Sequence, residues 1–437
     1  MRRGHSMGVE SAVATIGDLY DDLKGKRLLF LGATAAIKDL VLLAKSVGIY
    51  TIVTDYIPNA AAKEVADKSY DISTFDLDKL SQIIESDHVN GVITGFSDAN
   101  LMPCYALAKK WGFPFYATEN QIEITTNKIK FKDACRRCGL PVVPEYHLDD
   151  DLDDEDISKM SFPVIMKPAD SYASKGIAVC ETPAHLKEKF DFSKSYSPTG
   201  KVIVERYIQG WTDSCCYFTI QNGVPTLSAM TDRDMRYTHD GHAQQPNVMY
   251  YPSRFIDDYY ARLHQGICKY VDLLGIKNGT MFVQLFAKDG EFLIFESGYR
   301  LCGASEYIIV SEENEINTGL MHIRYALTGQ FDGWKNTDFD NARFKNRYCI
   351  LVVSVRPGKI SQVIGMDRLL QSDCFINALQ YYRVGDTVSD ASFGTFSQAF
   401  ARIYLRARND SELDEAIRYV RETVDVLDSD GNSLVID

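Results

Sequence analysis

Apolar runs too short for helices, separated by stretches of helical spacing, organise the first part of the chain. Residues 26–33 (KRLLFLGA) read as a buried strand ending at a glycine. A helix to about Val47 follows, then a strand at 50–53 with Asp55 just beyond it. A third strand is expected at 89–94 and a helix at 99–111. Strand–helix alternation of this kind predicts a parallel sheet covered by helices. Ligands bind such sheets at the strand ends, which makes Thr34, Asp55 and Ser97 candidate contacts.

The pattern changes after about residue 119. Strands are expected at 164–166, ending in Lys167, and at 202–204, ending in Glu205. Two more, at 281–287 and 291–295, flank Lys288-Asp289-Gly290, a hairpin signal because Asp-Gly tolerates positive φ. Residues 257–274 read as one helix, with apolar positions at Leu263, Ile267, Tyr270, Val271 and Leu274. Residues 231–253 are polar, rich in His, Gln and Tyr, and read as a long loop over a site. Beyond residue 346, strands are expected at 348–355, 360–364 and 399–407, and a helix at 411–426.

Three of these segments carry chemistry. The stretch 162–176 (FPVIMKPADSYASKG) brings Lys167 out of a buried strand beside a loop of small residues with a second lysine. A point charge next to loop N–H groups and hydroxyls suits a triphosphate. In 201–213 (KVIVERYIQGWTD), Glu205 at a strand end can accept from an adenine amino group. The backbone that follows can pair with the ring edge, and Asp213 can accept from ribose hydroxyls. The hairpin puts Gln284 and Glu296 on neighbouring strands, with Arg300 just past the second. Phosphate-bound Mg²⁺ wants one or two protein oxygens on a rigid frame, and an arginine nearby neutralises a transferring phosphoryl group. Taken singly, each stretch also fits a surface hairpin with solvated lysines or an edge strand with exposed acids.

The order of the segments resembles the ATP-grasp superfamily. Within it the chain looks most like carboxylate–amine ligases, such as the L-amino-acid (dipeptide) ligases, and biotin carboxylase-like enzymes. The resemblance runs from about Lys26 to the C-terminus. It implies a multidomain α/β and α+β protein with the ATP-grasp fold. The expected parts are an N-terminal arm at 1–24, a Rossmann-like domain at 25–118, and an ATP-grasp domain of two subdomains at 119–330 with ATP between them. A C-terminal α+β domain is expected at 331–437. Only Gly32 stands where a dinucleotide fingerprint needs three glycines, so the first domain is not read as an NAD site.

Position by position, the resemblance makes Lys128 and Lys167 the nucleotide lysines and Ser174, Lys175 and Gly176 the tip of the phosphate-covering loop. Glu205 becomes the adenine acid, Tyr207 and Ile208 the hinge, and Asp213 the ribose contact. Arg233, Lys167 and Arg300 would meet the transferring phosphoryl group, and Glu296 with Gln284 would hold the metal. Two positions depart from the pattern: Gln284 stands where a Glu is usual, and Gly298 where an Asn is usual. The implied reaction joins a small-molecule carboxylate to an amine through an acyl phosphate, with ATP and Mg²⁺ (or Mn²⁺) as cofactors and release of ADP and phosphate. Two alternatives remain open at this level. One is carboxylation or carbamoylation of the biotin carboxylase or carbamoyl-phosphate synthase kind. The other is an ATP-binding regulatory relative without catalysis, motivated by Gln284 and Gly298.

Composition narrows the picture. With 437 residues, 45% hydrophobic and 24% charged, the chain needs more than one core. A net charge of −13 argues against general nucleic-acid binding. No uninterrupted apolar stretch is long enough for a membrane span, and the N-terminus lacks a long apolar run after its basic start. A cytoplasmic enzyme, possible as a homodimer, is the expectation. Ten scattered cysteines are expected to be reduced, including Cys135, Cys138, Cys215 and Cys216. The acidic run 149–156 reads as a solvated loop or helix start.

Overall fold

The computed structural model describes residues 20–170, 176–236, 245–332 and 340–436. Strands β1 (Arg27–Leu31), β2 (Tyr50–Thr54), β3 (Lys68–Tyr70) and β4 (Gly91–Ile93) form the expected parallel sheet in the order β3-β2-β1-β4. Leu28, Leu29, Phe30 and Leu31 are all fully buried, as a strand covered on both faces requires. Thr34 caps the helix Ala35–Ser46 by accepting from the Ile37 N–H, and Asp55 accepts from the Ala33 and Ile57 N–H groups. Both candidates are therefore engaged in shaping the strand ends. The expected N-terminal arm is shorter than residues 1–24 on its C-terminal side, because Tyr20 and Leu23 are buried in the core.

A small antiparallel sheet follows, in the order β5-β8-β6-β7: β5 (Glu145–Tyr146), β6 (Val164–Pro168), β7 (Ala178–Cys180) and β8 (Val202–Arg206). The acidic run becomes the start of a helix, Asp154–Ser158, with Asp153 as its cap.

The largest element is a nine-stranded sheet. It holds β9 (Thr212–Gln221), β10 (Val224–Arg236), β11 (Gln245–Tyr251), β12 (Gly279–Lys288), β13 (Glu291–Gly298) and β14 (Arg347–Val355). After β15 (Gly358–Lys359) and β16 (Gln362–Ile364), which lie in small side sheets, β17 (Phe375–Gln380) joins it. So, after β18 (Thr387–Val388), does β19 (Ala399–Ala407). The order is β13-β12-β9-β10-β11-β14-β19-β17, with a short C-terminal strand, Val435–Ile436, beside β14. The β12–β13 hairpin is as expected: Lys288 pairs with Glu291, and Asp289 and Gly290 both take positive φ.

Four expectations change. Residues 231–253 are not one loop: β10 continues to Arg236 and β11 begins at Gln245. Pairing of β11 with β10 on one side and β14 on the other overrides its polar, Pro-containing composition. His239 and His242 lie outside the described residues. The expected helix 257–274 is two, Ile256–Arg262 and His264–Leu273, meeting at Leu263 with φ −110°. Apolar spacing continues across the bend, so a sequence pattern does not reveal it. The C-terminal helix ends at Thr423, because Val424 is extended and leads into a strand, Asp425–Leu427, paired with β16. The last third is also not set apart as a sheet of its own, since β14 and β19 extend the large sheet edge to edge.

Candidate nucleotide site

Two sheets present the expected site residues to each other. On the small sheet, Ile165 pairs with Glu205 and Lys167 with Ile203, which places Lys167 and Glu205 on one face as diagonal neighbours. Lys167 Nζ lies 2.8 Å from Glu205 Oε2. The other oxygen of Glu205 takes Lys132 Nζ. Glu205 is 1% exposed and Lys132 is fully buried. Burial pushes the Glu205 carboxyl up, but Lys167 and Lys132 outweigh it and hold it below the usual glutamate value. Both oxygens are thus committed to lysines. Lys128 opens the helix Lys128–Arg137, capped by Asn127, and its N–H donates to Ala169 O at the end of β6. Gly176 has φ +72°, and a Cβ there would come within 2.8 Å of Tyr196 and Pro168, so the loop end needs glycine. Ser174 and Lys175 lie outside the described residues.

On the large sheet, register puts the remaining candidates on one face. Glu296 stands opposite Gln284, and Gln284 opposite Cys215. In the adjacent row Phe286 stands opposite Asp213, Asp213 opposite Arg233, and Arg233 opposite Met249. Between the pairs Gln284–Glu296 and Leu285–Ile294, Phe295 is an extra residue. Such a bulge re-aims a side chain, and here the Phe295 ring stacks on Phe286 at 4.7 Å. Lys167 Nζ sits 5.4 Å from the Phe295 ring centre, so this ring joins the two halves. A cleft of about 490 Å³ follows the hinge, lined by Tyr207, Ile208, Asp213, Arg233, Arg254 and Phe286 among others.

The electrostatics are unequal along this face. Arg233 Nη1 donates to Asp213 at 3.2 Å, and its Nε is buried without a partner. Burial raises the Asp213 carboxyl to about 6 against the pull of Arg233, and Glu296 nearby adds to the rise. Arg300 is not free as expected: its Nε and Nη2 grip Asp98 at 2.6 and 2.7 Å, and Nη1 donates to Leu301 O. Asp98 starts a short turn after β4, so the parallel sheet reaches into the site through this residue rather than through Ser97, the expected neighbour.

Other groups the sequence did not single out surround the segment after Arg300. Cys302 lies against Cys215; burial pushes its thiol up, but Cys215, the Ala304 N–H, Arg300 and Arg233 outweigh this and hold it below the usual cysteine value. Burial holds Glu306 well above the carboxylate range, with Oε2 unpartnered. Arg402 of β19 donates to Gly303 O. Only Lys132 left a trace in the sequence, four residues after Lys128 and so on the same helix face.

The donor set fits a magnesium ion that takes most of its oxygens from phosphates and water. Glu296 and Gln284 supply one carboxylate and one amide oxygen on paired strands. Among the described residues no group of three or more His, Cys, Asp or Glu forms an all-protein metal cage. Among the same residues no helix is long and apolar enough to cross a membrane.

Comparison with known proteins agrees with this geometry. Residues 160–306 match the family model described as ATP-grasp domain. The chain is 25% identical over 315 residues to the formate-dependent phosphoribosylglycinamide formyltransferase of Methanocaldococcus jannaschii, covering 70% of this chain and 77% of the relative. It is 24% identical over 313 residues to the enzyme of the same name from Maridesulfovibrio salexigens, covering 69% and 75%. The L-amino acid ligase of Bacillus licheniformis shares the fold with a TM-score of 0.73 at 18% identity, over 93% of this chain and 99% of that one. A biotin carboxylase from Campylobacter jejuni superposes with a TM-score of 0.74 at 16% identity, over 93% of each chain. Residues 160–306 thus match the ATP-grasp domain, and the chain shares its fold with ATP-grasp enzymes, whose nucleotide is ATP with Mg²⁺.

Proposed function

We propose that this protein is an ATP-dependent carboxylate–amine ligase, which forms an amide through an acyl phosphate and releases ADP and phosphate. The observation that carries the reading is the opposition of Lys167 on one sheet to Asp213, Arg233, Gln284 and Glu296 on the face of the other. Lys128 and Lys167 serve the phosphates, Tyr207 and Ile208 the base, and Asp213 the ribose. Glu296 and Gln284 hold the magnesium ion, which supplies neutralisation of phosphate charge when bound. Arg233, with a buried unpartnered Nε, stabilises charge on the transferring group. Arg300 acts with Asp98 attached, so its contribution is positional as much as electrostatic. No side-chain nucleophile is required. The relatives named for formate-dependent formyl transfer favour a small carboxylate as one substrate.

The test is release of ADP and phosphate from MgATP with a panel of carboxylates, formate included, and amines, singly and in pairs. Bicarbonate forms a separate arm. Turnover that needs one carboxylate and one amine supports the ligase. Dependence on bicarbonate favours carboxylation instead. Lys167→Ala is expected to weaken ATP binding by about tenfold or more, as loss of a charge-assisted phosphate contact does. Unchanged affinity in that variant would count against the nucleotide assignment. The departures Gln284 and Gly298 favour a second reading, ATP binding without catalysis, which calorimetric ATP binding alongside no turnover would support.

A further inference from the structure

We propose that Lys132 is a positioning residue for the nucleotide site, which keeps Lys167 available to phosphate by sharing the charge of Glu205. The inference rests on the reading of Lys167 as a phosphate lysine.

Five side chains of alternating charge run from solvent through the interior to Lys167. Arg136 pairs with Glu145, Glu145 lies 3.4 Å from Lys132, Lys132 pairs with Glu205, and Glu205 lies 2.8 Å from Lys167. Side-chain exposure falls from 44% at Arg136 through 22% at Glu145 to 0% at Lys132 and 1% at Glu205, then rises to 11% at Lys167. The series therefore crosses the interior and ends at Lys167, 5.4 Å from the ring of Phe295, which stacks on Phe286 of the cleft lining. Four elements hold it in place. Helix Lys128–Arg137 supplies Arg136 and Lys132, β5 supplies Glu145, β8 supplies Glu205 and β6 supplies Lys167. Glu145 and Glu205 are paired residues on neighbouring strands, so two carboxylates share one sheet position and need cations between them. Val143 O, 3.4 Å from Lys132 Nζ, completes the setting.

The charge count explains why a lysine is buried there. Glu205 faces two lysines, so the innermost group of three carries one net positive charge. Without Lys132, Glu205 would neutralise Lys167 alone, and the buried pair would present no net charge to an anionic triphosphate. Lys132 has no route to the cleft itself, being fully buried behind Glu205. It acts through Glu205 on Lys167.

A structural plug and a charge-sharing residue differ in one respect, which the experiment reads. MgATP binding to the full chain is measured by calorimetry for wild type, Lys132→Met, and the double variant Lys132→Met/Glu205→Gln. Lys132→Met is expected to weaken MgATP about tenfold, and the double variant, which returns the net charge to one on Lys167, to bind within about threefold of wild type. Wild-type affinity in Lys132→Met overturns the proposal, as does a double variant no better than the single one. If Lys132→Met does not fold, the double variant decides alone: binding near wild type supports the proposal and its loss overturns it. A wild type that does not bind MgATP overturns the nucleotide reading first, which is a different result from intact wild-type binding with indifferent variants.

Discussion

Glu205 shows how far a single residue can be read. Its position at a strand end was legible, but not its partners. Lys132 and Lys167 lie 73 and 38 residues away in sequence, and only packing brings them to one carboxylate. The consequence is a pH dependence with a definite sign. The folded-state value of Glu205 is below the usual glutamate value of 4.5. Its stabilisation is therefore fully present above that value and is lost as pH falls through the lowered folded value. Glu205→Gln leaves two buried lysines without their counter-charge, so it should cost about 3–5 kcal/mol near pH 7. The gap to wild type should narrow in acid below about pH 4.5, as wild-type Glu205 protonates. Urea denaturation of both proteins from pH 3 to 8 checks this, and a gap independent of pH would contradict it.

At the scale of elements, the β12–β13 hairpin was the most legible part of the site. Asp-Gly between two apolar runs sets the turn, the turn sets the register, and the register puts Glu296 opposite Gln284. The bulge at Phe295 was not legible, because one extra residue leaves no mark on an apolar run. Gly298 has a clear reason in the packing. A Cβ there would lie 2.4 Å from the Phe282 ring, and the Arg300 guanidinium sits 4.9 Å over that same ring. The ring occupies the space a larger residue at 298 would need. Gly298→Asn, which restores the usual pattern, is expected to destabilise by about 1–3 kcal/mol through overpacking. Adding Phe282→Leu should recover part of that loss. Thermal denaturation of the single and double variants measures both, and a stable Gly298→Asn would show that Phe282 yields freely. Gln284→Glu has no such obstacle in register and is expected to retain or strengthen Mg²⁺-dependent turnover, read as the magnesium concentration for half-maximal rate.

For the whole molecule, the decisive feature is the continuity of the large sheet. Strand β11 is flanked by β10 and β14, so the central and C-terminal thirds share backbone hydrogen bonds rather than a surface. One hydrophobic cluster joins Phe30 and Leu40 of the first domain, Tyr217 and Met249 of the middle, and Ile350 and Tyr404 of the last third. A chain ending at residue 345 would uncover the edge of β11 and part of that cluster. It is expected to lose cooperative unfolding and MgATP binding. Circular dichroism melts and calorimetry compare it with the full chain, and a short form that melts cooperatively and binds MgATP would show that the last third is separable.

The sequence by itself determined the local elements whose signals are local: the parallel sheet at 27–93, the strand carrying Lys167 and the Asp-Gly hairpin. These follow from short-range periodicity and turn chemistry, which neighbouring residues specify. Tertiary structure alone decided which charges meet. Asp98 reaches Arg300 across 202 residues, Lys132 lies buried against Glu205, and a stretch read as a loop became two central strands because partners stood on both sides. Those outcomes depend on long-range pairing and on the cost of burying a charge without a partner, and neither is written in the spacing of residues along the chain.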